Sequence, residues 1–145
     1  MSEVRPAAPP KPLPEAIAFE APYWEAARRG ELTLQRCVGY DVFLHPPQLS
    51  APHWCPGAKL EWVTFGSDIV GTLYTFTIVH RAFNKAFLDD APYAIAMCDI
   101  AQAPGARVMA NVIGIPLDDI RIGMPLRMVW QPRGDDYMMP QWGPA

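Results

Sequence analysis

Apolar and polar positions alternate most regularly from Gly71 to Arg81, GTLYTFTIVHR, where Tyr74, Phe76 and Ile78 are large and apolar and Thr75 and Thr77 stand between them. Period-two alternation in aromatic and β-branched residues predicts a strand, with those three side chains on one face. It is long enough to bend around a small barrel. Further strands are predicted at Tyr93 to Ala101, Arg107 to Ile113, Leu126 to Gln131 and Tyr137 to Trp142. The Tyr93 run is almost continuously apolar, as in a strand covered on both faces. Pro104-Gly105 and Arg133-Gly134-Asp135-Asp136 supply turns, and Leu117 to Ile120 one helical turn.

Upstream the pattern changes twice. Residues 1–14 carry prolines at 6, 9, 10, 12 and 14 and little to bury, which reads as a disordered tail of polyproline character. Residues 15–30 form a helical segment, with Pro22 in the first turn of a helix over Tyr23 to Arg29 and Gly30 ending it. Tyr23, Trp24 and Ala27 share one side; Glu25, Arg28 and Arg29 mark the wet side. Short strands follow at Glu31 to Arg36, Val42 to His45 and Leu60 to Gly66.

The expected fold is mainly β: an N-terminal helix, a zinc-ribbon-like hairpin module over residues 31–62, and a five-stranded antiparallel OB-fold barrel over residues 63–145. At 145 residues this is one core with appendages. A formal net charge of −3 lends nothing to nucleic-acid binding. The first residues are not a signal peptide, no apolar run approaches a membrane span, and three cysteines fit a cytoplasmic protein with reduced thiols.

Cys37 and Cys55 each open a knuckle, but the second positions, where a ribbon would carry cysteine, are Tyr40 and Ala58. His45 and His53 are ligand types without ribbon spacing, so zinc is not expected, and Tyr40, Phe43, Trp54 and prolines are expected to hold the module. Cys98 reads as a buried small hydrophobe. None of His45, His53 and His80 stands in a nucleophile–base motif, so no catalytic residue is assigned.

From PYWEAARRGELTLQRC through HPP, CP, GTLYTFTIVHRAF, APYAIAMCDI, ARVMANVIG and DDIRIGMPLRMVWQ to MPQWGPA, about Pro22 to Pro144, the chain resembles bacterial and archaeal proteins that join an N-terminal helix, a rubredoxin-like zinc ribbon and an OB-fold. These are described as acyl-CoA-associated or thiolase-associated. The resemblance implies an accessory subunit of a hetero-oligomer rather than a free-standing catalyst. Its partner would be a thiolase-fold enzyme acting on acyl-CoA thioesters, such as a thiolase, a hydroxymethylglutaryl-CoA-forming system or a retro-aldolase of steroid side-chain degradation; in some members the OB-fold is instead fused to a hydratase. Tyr40 and Ala58 depart from the ribbon pattern.

The expected contact surface for partner or coenzyme A thioester comprises Tyr23, Trp24, His80, Arg81, Phe83, Lys85, Phe87 and Tyr93, aromatics with cations around the exit of the long strand, with further apolar surface near Trp142. No cofactor is expected to be tightly bound, and no membrane or nucleic-acid partner. Two other classes stay open: a single-stranded nucleic-acid-binding OB-fold, which would stack bases on exposed aromatics, and a small stand-alone acyl-CoA enzyme.

Overall fold

A computed structural model describes residues 6–15 and 17–145. The first five residues of the expected tail, and Ala16 in the expected helical segment, lie outside the described residues. The elements are α1 (Ala21–Arg28), β1 (Thr33–Cys37), β2 (Val42–Leu44), β3 (Leu60–Thr64), β4 (Val70–Val79), β5 (Tyr93–Ile100), β6 (Arg107–Val112), β7 (Pro125–Arg133) and β8 (Tyr137–Pro144). Pro22 sits in the first turn of α1, where its missing N–H costs nothing, and Gly30 leaves the helix at φ 70°. Residues 6–14 form neither helix nor strand.

β2, β1 and β3 make a three-stranded antiparallel sheet in that order. β3 pairs with β1 from Thr33↔Thr64 to Cys37↔Leu60, which carries the ribbon sheet past the boundary expected after residue 62. β4 to β8 form a closed barrel in the order β4-β5-β6-β8-β7. Pairing is antiparallel throughout except at the closing seam, where β6 and β8 meet in a parallel bridge, Val112↔Trp142.

The long strand departs from the expected pattern at one residue. Gly71 and Leu73 point inward, a bulge falls between Leu73 and Thr75, and Phe76 and Ile78 then take the core side. Tyr74, expected beside Phe76 and Ile78, is the extra residue and is exposed. One inserted residue in a ladder of period two exchanges the two faces, so odd positions are inward before the bulge and even ones after it. Outside, the Arg107 guanidinium lies 3.7 Å from the Tyr74 ring centroid and its Nε donates to Asp99 Oδ1 at 2.8 Å.

Inside the barrel Trp142 is fully buried, and its indole N–H donates to the Val108 carbonyl at 3.2 Å. It is therefore core, not the contact surface expected near it. Gly71 makes room for the ring: a Cβ there would stand 2.8 Å from Trp142 Cη2 and 2.9 Å from Cys98 Cβ. Cys98 is buried as expected, and burial together with the Asp99 charge pushes its thiol up to about 12. Leu32, just before β1, and Leu34 and Phe43 of the ribbon sheet join the same core, so ribbon and barrel pack on one apolar cluster. α1 is tied to the β7–β8 hairpin by Arg28 Nε donating to the Asp136 carbonyl at 2.9 Å and by Trp24 edge-on to Tyr137 at 5.6 Å.

Candidate functional site

The β4–β5 connection holds five of the expected contact residues, His80, Arg81, Phe83, Lys85 and Phe87. Ala82 and Ala86 are buried and anchor it, while Asn84 Oδ1 accepts the Ala86 N–H at 2.9 Å and caps a 3-10 turn over Lys85–Phe87. The anchored loop leaves Phe83 99% exposed, a position that costs apolar hydration with no return inside this chain. His80, Arg81 and Lys85 are exposed around it. Among the described residues neither Arg81 nor Lys85 forms an ion pair.

The other three, Tyr23 and Trp24 on α1 and Tyr93 at the start of β5, lie outside that connection. Tyr23, expected on the contact surface, is only 6% exposed: its ring stands edge-on to Trp24 at 5.0 Å and 5.5 Å from His45. The cause is the crossing of α1 over the ribbon and barrel, which turns that side of the helix inward. Burial first, and then the Glu20 charge, raise the Tyr23 hydroxyl far above its usual range. Trp24 is half-buried. Phe87 turns back from the loop, 6.5 Å from Tyr93 and flanked by Lys11 at 5.5 Å and Arg133 at 5.9 Å from its centroid.

Tyr23, Trp24 and Phe87 all border a groove of about 440 Å³ between α1, the His45-Pro46-Pro47 turn and the outer wall of β5, β6 and β8. Sequence reasoning missed its remaining walls. Met109, 62% exposed, and Met139 supply apolar surface, while Asn111, Gln141 and Arg133 bring polar groups. A signal existed for Met109 and Asn111, which occupy the outward positions of β6 between buried Val108, Ala110 and Val112. His45, a metal-ligand type by sequence, walls the groove. Its Nδ1 is buried without a hydrogen-bond partner among the described residues, and burial lowers its pKa to about 4, so the ring is neutral at pH 7.

The two ribbon knuckles survive in backbone. The Tyr40 N–H donates to the Cys37 carbonyl at 3.1 Å, the Ala58 N–H to the Cys55 carbonyl at 3.1 Å, and Gly39 and Gly57 have φ 88° and 71°. Cys37 and Cys55 are fully buried with Leu44 in a small cluster, and burial and the Cys37 thiol push Cys55 up to about 11. Tyr40 donates its hydroxyl to the Pro56 carbonyl at 3.2 Å, which joins the knuckles where two more thiolates would stand. Trp54, expected to help hold the module, is 47% exposed, and Phe43 belongs to the main core, edge-on to Phe65 at 5.1 Å. Among the described residues no group of three or more histidines, cysteines or acids could hold a metal. Two thiols with Tyr40 and Ala58 at the other corners do not fit a closed four-ligand zinc site.

Among the described residues no helix is long and apolar enough to cross a membrane. Residues 62–131 match the family model described as the C-terminal OB-fold domain of ChsH2. The chain is 31% identical over 135 residues, 93% of its length, to a protein of Thermomonospora curvata named probable enoyl-CoA hydratase alpha subunit, and spans 40% of that protein's length. It is 26% identical over 104 residues to a DUF35 domain-containing scaffold protein of Methanothermobacter thermautotrophicus, covering 72% of this chain and 74% of the relative. The scaffold protein of the same name from Methanocaldococcus jannaschii is 33% identical over 96 residues, with 66% and 64% covered. A solved structure entitled Ltp2-ChsH2(DUF35) aldolase contains a chain of similar fold, with a TM-score of 0.75, 28% identity, and 91% of this chain and 98% of that one covered.

Proposed function

Because the chain is an OB-fold protein of the DUF35 kind, we propose that it is a non-catalytic accessory subunit that docks on a thiolase-fold enzyme and supports its acyl-CoA chemistry. The observation that carries this reading is Phe83, presented wholly to solvent on a capped and anchored loop between two cations that form no ion pair among the described residues. A large aromatic flanked by arginine is the usual composition of an interface anchor. The reading is further supported by relatives whose names contain a scaffold protein, an aldolase and a hydratase subunit. The nucleophile would belong to the partner, and this chain would act by positioning and by stabilising the complex. Coenzyme A thioester is then the substrate of the complex, with no tightly bound cofactor on this subunit.

The test is reconstitution with a thiolase-fold enzyme encoded beside it, followed by size-exclusion chromatography and an acyl-CoA assay with and without this chain. Co-elution is expected, and Phe83→Ala and Arg81→Ala should each weaken assembly by about 1–4 kcal/mol while leaving the fold intact. If the two proteins never co-elute and turnover is indifferent to this chain, the reading fails.

A further inference from the structure

We propose that the groove between α1, the 45–47 turn and the barrel wall binds an amphiphile, an apolar chain ending in an oxyanion, and that residues 6–14 are a strap that competes with this ligand for Arg133. The inference does not rest on the partner reading, which needs no ligand on this chain. A cleft of about 440 Å³ at the junction of two structural units, mainly apolar with a few polar groups, has the size and placement of a small-molecule site. Trp24 and the Pro46-Pro47 turn form one apolar wall, and Met109 and Met139 the other. Methionine is the side chain best able to adapt to a flexible hydrocarbon.

The charge distribution identifies the end group. Arg133 lines the groove and has no carboxylate partner among the described residues. The groove's acid, Glu20, stands by Tyr23, whose hydroxyl feels its charge, and is not paired with Arg133. An anionic head is therefore drawn to Arg133, and its apolar body lies along the methionines and Trp24. A guanidinium fork also suits the geometry of a carboxylate or phosphate.

The strap reaches the same residues. Arg133 Nη1 donates to the Pro12 carbonyl at 3.4 Å, a long bond that an oxyanion would outcompete. Lys11 pairs with Asp90 at 2.6 Å and lies over Phe87, which also walls the groove. Leu13 packs at Gly134, where a Cβ would stand 2.9 Å from its Cδ2. Ligand and strap thus share Arg133, and filling the site loosens residues 6–14.

The test titrates the full chain with sodium decanoate, decyl phosphate and decanol, each below its micelle concentration, and follows tryptophan fluorescence with Trp24→Phe as the control for signal origin. Saturable binding of an anionic amphiphile is expected, with decanol weaker by about tenfold, the loss that goes with one charge-assisted hydrogen bond. Arg133→Gln should remove the preference for the anion, Met109→Asp should abolish binding, and Lys11→Ala should strengthen it several-fold by loosening the strap. The relative strength of decanoate and decyl phosphate assigns the head group as carboxylate or phosphate. Absence of saturable binding in the correctly folded full chain, checked by near-ultraviolet circular dichroism, overturns the site. Equal affinity for decanol overturns the role of Arg133, and indifference to Lys11→Ala overturns the strap.

Discussion

His45 makes acid stability a quantitative test of the groove wall. The ring is packed against Tyr23, its Nδ1 is buried without a partner among the described residues, and burial accounts for a pKa lowered from 6.5 to about 4. In the unfolded chain the ring takes its proton near pH 6.5, so between that value and pH 4 the unfolded state binds more protons than the folded one. Stability is undiminished above pH 6.5 and falls as pH drops towards 4. Moving from pH 7.5 to pH 4.5 removes about 2–3 kcal/mol, from the ratio of the two binding polynomials. Carboxylates titrate in the same range, so the quantity to measure is a difference between proteins. Urea unfolding of the wild type and of His45→Phe, which keeps a ring against Tyr23 but cannot titrate, should be compared at half-unit pH steps. The variant should be close to the wild type at pH 7.5, because it also removes an unpartnered nitrogen. It should exceed the wild type by about 2 kcal/mol or more at pH 4.5. Parallel curves would show that His45 does not resist protonation in the fold, and the burial argument would be wrong.

Gly71→Ala should destabilise the barrel by about 1–3 kcal/mol, since the new methyl group meets buried Trp142 and Cys98, and an unchanged denaturation midpoint would refute the close approach. Trp24→Ala should lower the thermal midpoint as well as alter the groove, because the ring packs on Tyr23 and Tyr137; an unaltered midpoint would return Trp24 to a purely surface role. Elemental analysis of the purified chain is expected to find no stoichiometric zinc, and one tightly held zinc lost on Cys37→Ser would contradict the two-thiol knuckles. A bulky thiol reagent should leave Cys37, Cys55 and Cys98 unmodified in native buffer and label all three after denaturation; rapid native labelling would mean the knuckles or barrel open readily.

Local chemistry made most elements legible. Period-two patterns and turn residues located β4 to β8, and Pro22 and Gly30 bracketed α1 close to its observed ends. The resemblance carried the order of the modules, which periodicity alone cannot supply. The candidate site was only partly legible. The 80–87 loop was recognised as cations and aromatics close in sequence, and a local turn keeps them close in space. The groove was not, because its walls come from residues near 24, 45, 87, 109, 133 and 139, which share no sequence signal and meet only when α1 and the ribbon pack on the barrel.

By itself the sequence determined what short-range forces decide: which segments are strands, where the chain turns, and that only two ribbon thiols remain. The tertiary structure decided which faces of those elements are free. Alternation puts Tyr74 on the face of Phe76 and Ile78, yet a bulge turns it to solvent under Arg107; surplus apolar surface is expected near Trp142, yet the parallel closure of β6 on β8 places that ring at the barrel centre. The physical reason is common to both. Alternation specifies sides only relative to neighbouring residues, and a single inserted residue or a distant strand pairing decides which side meets water.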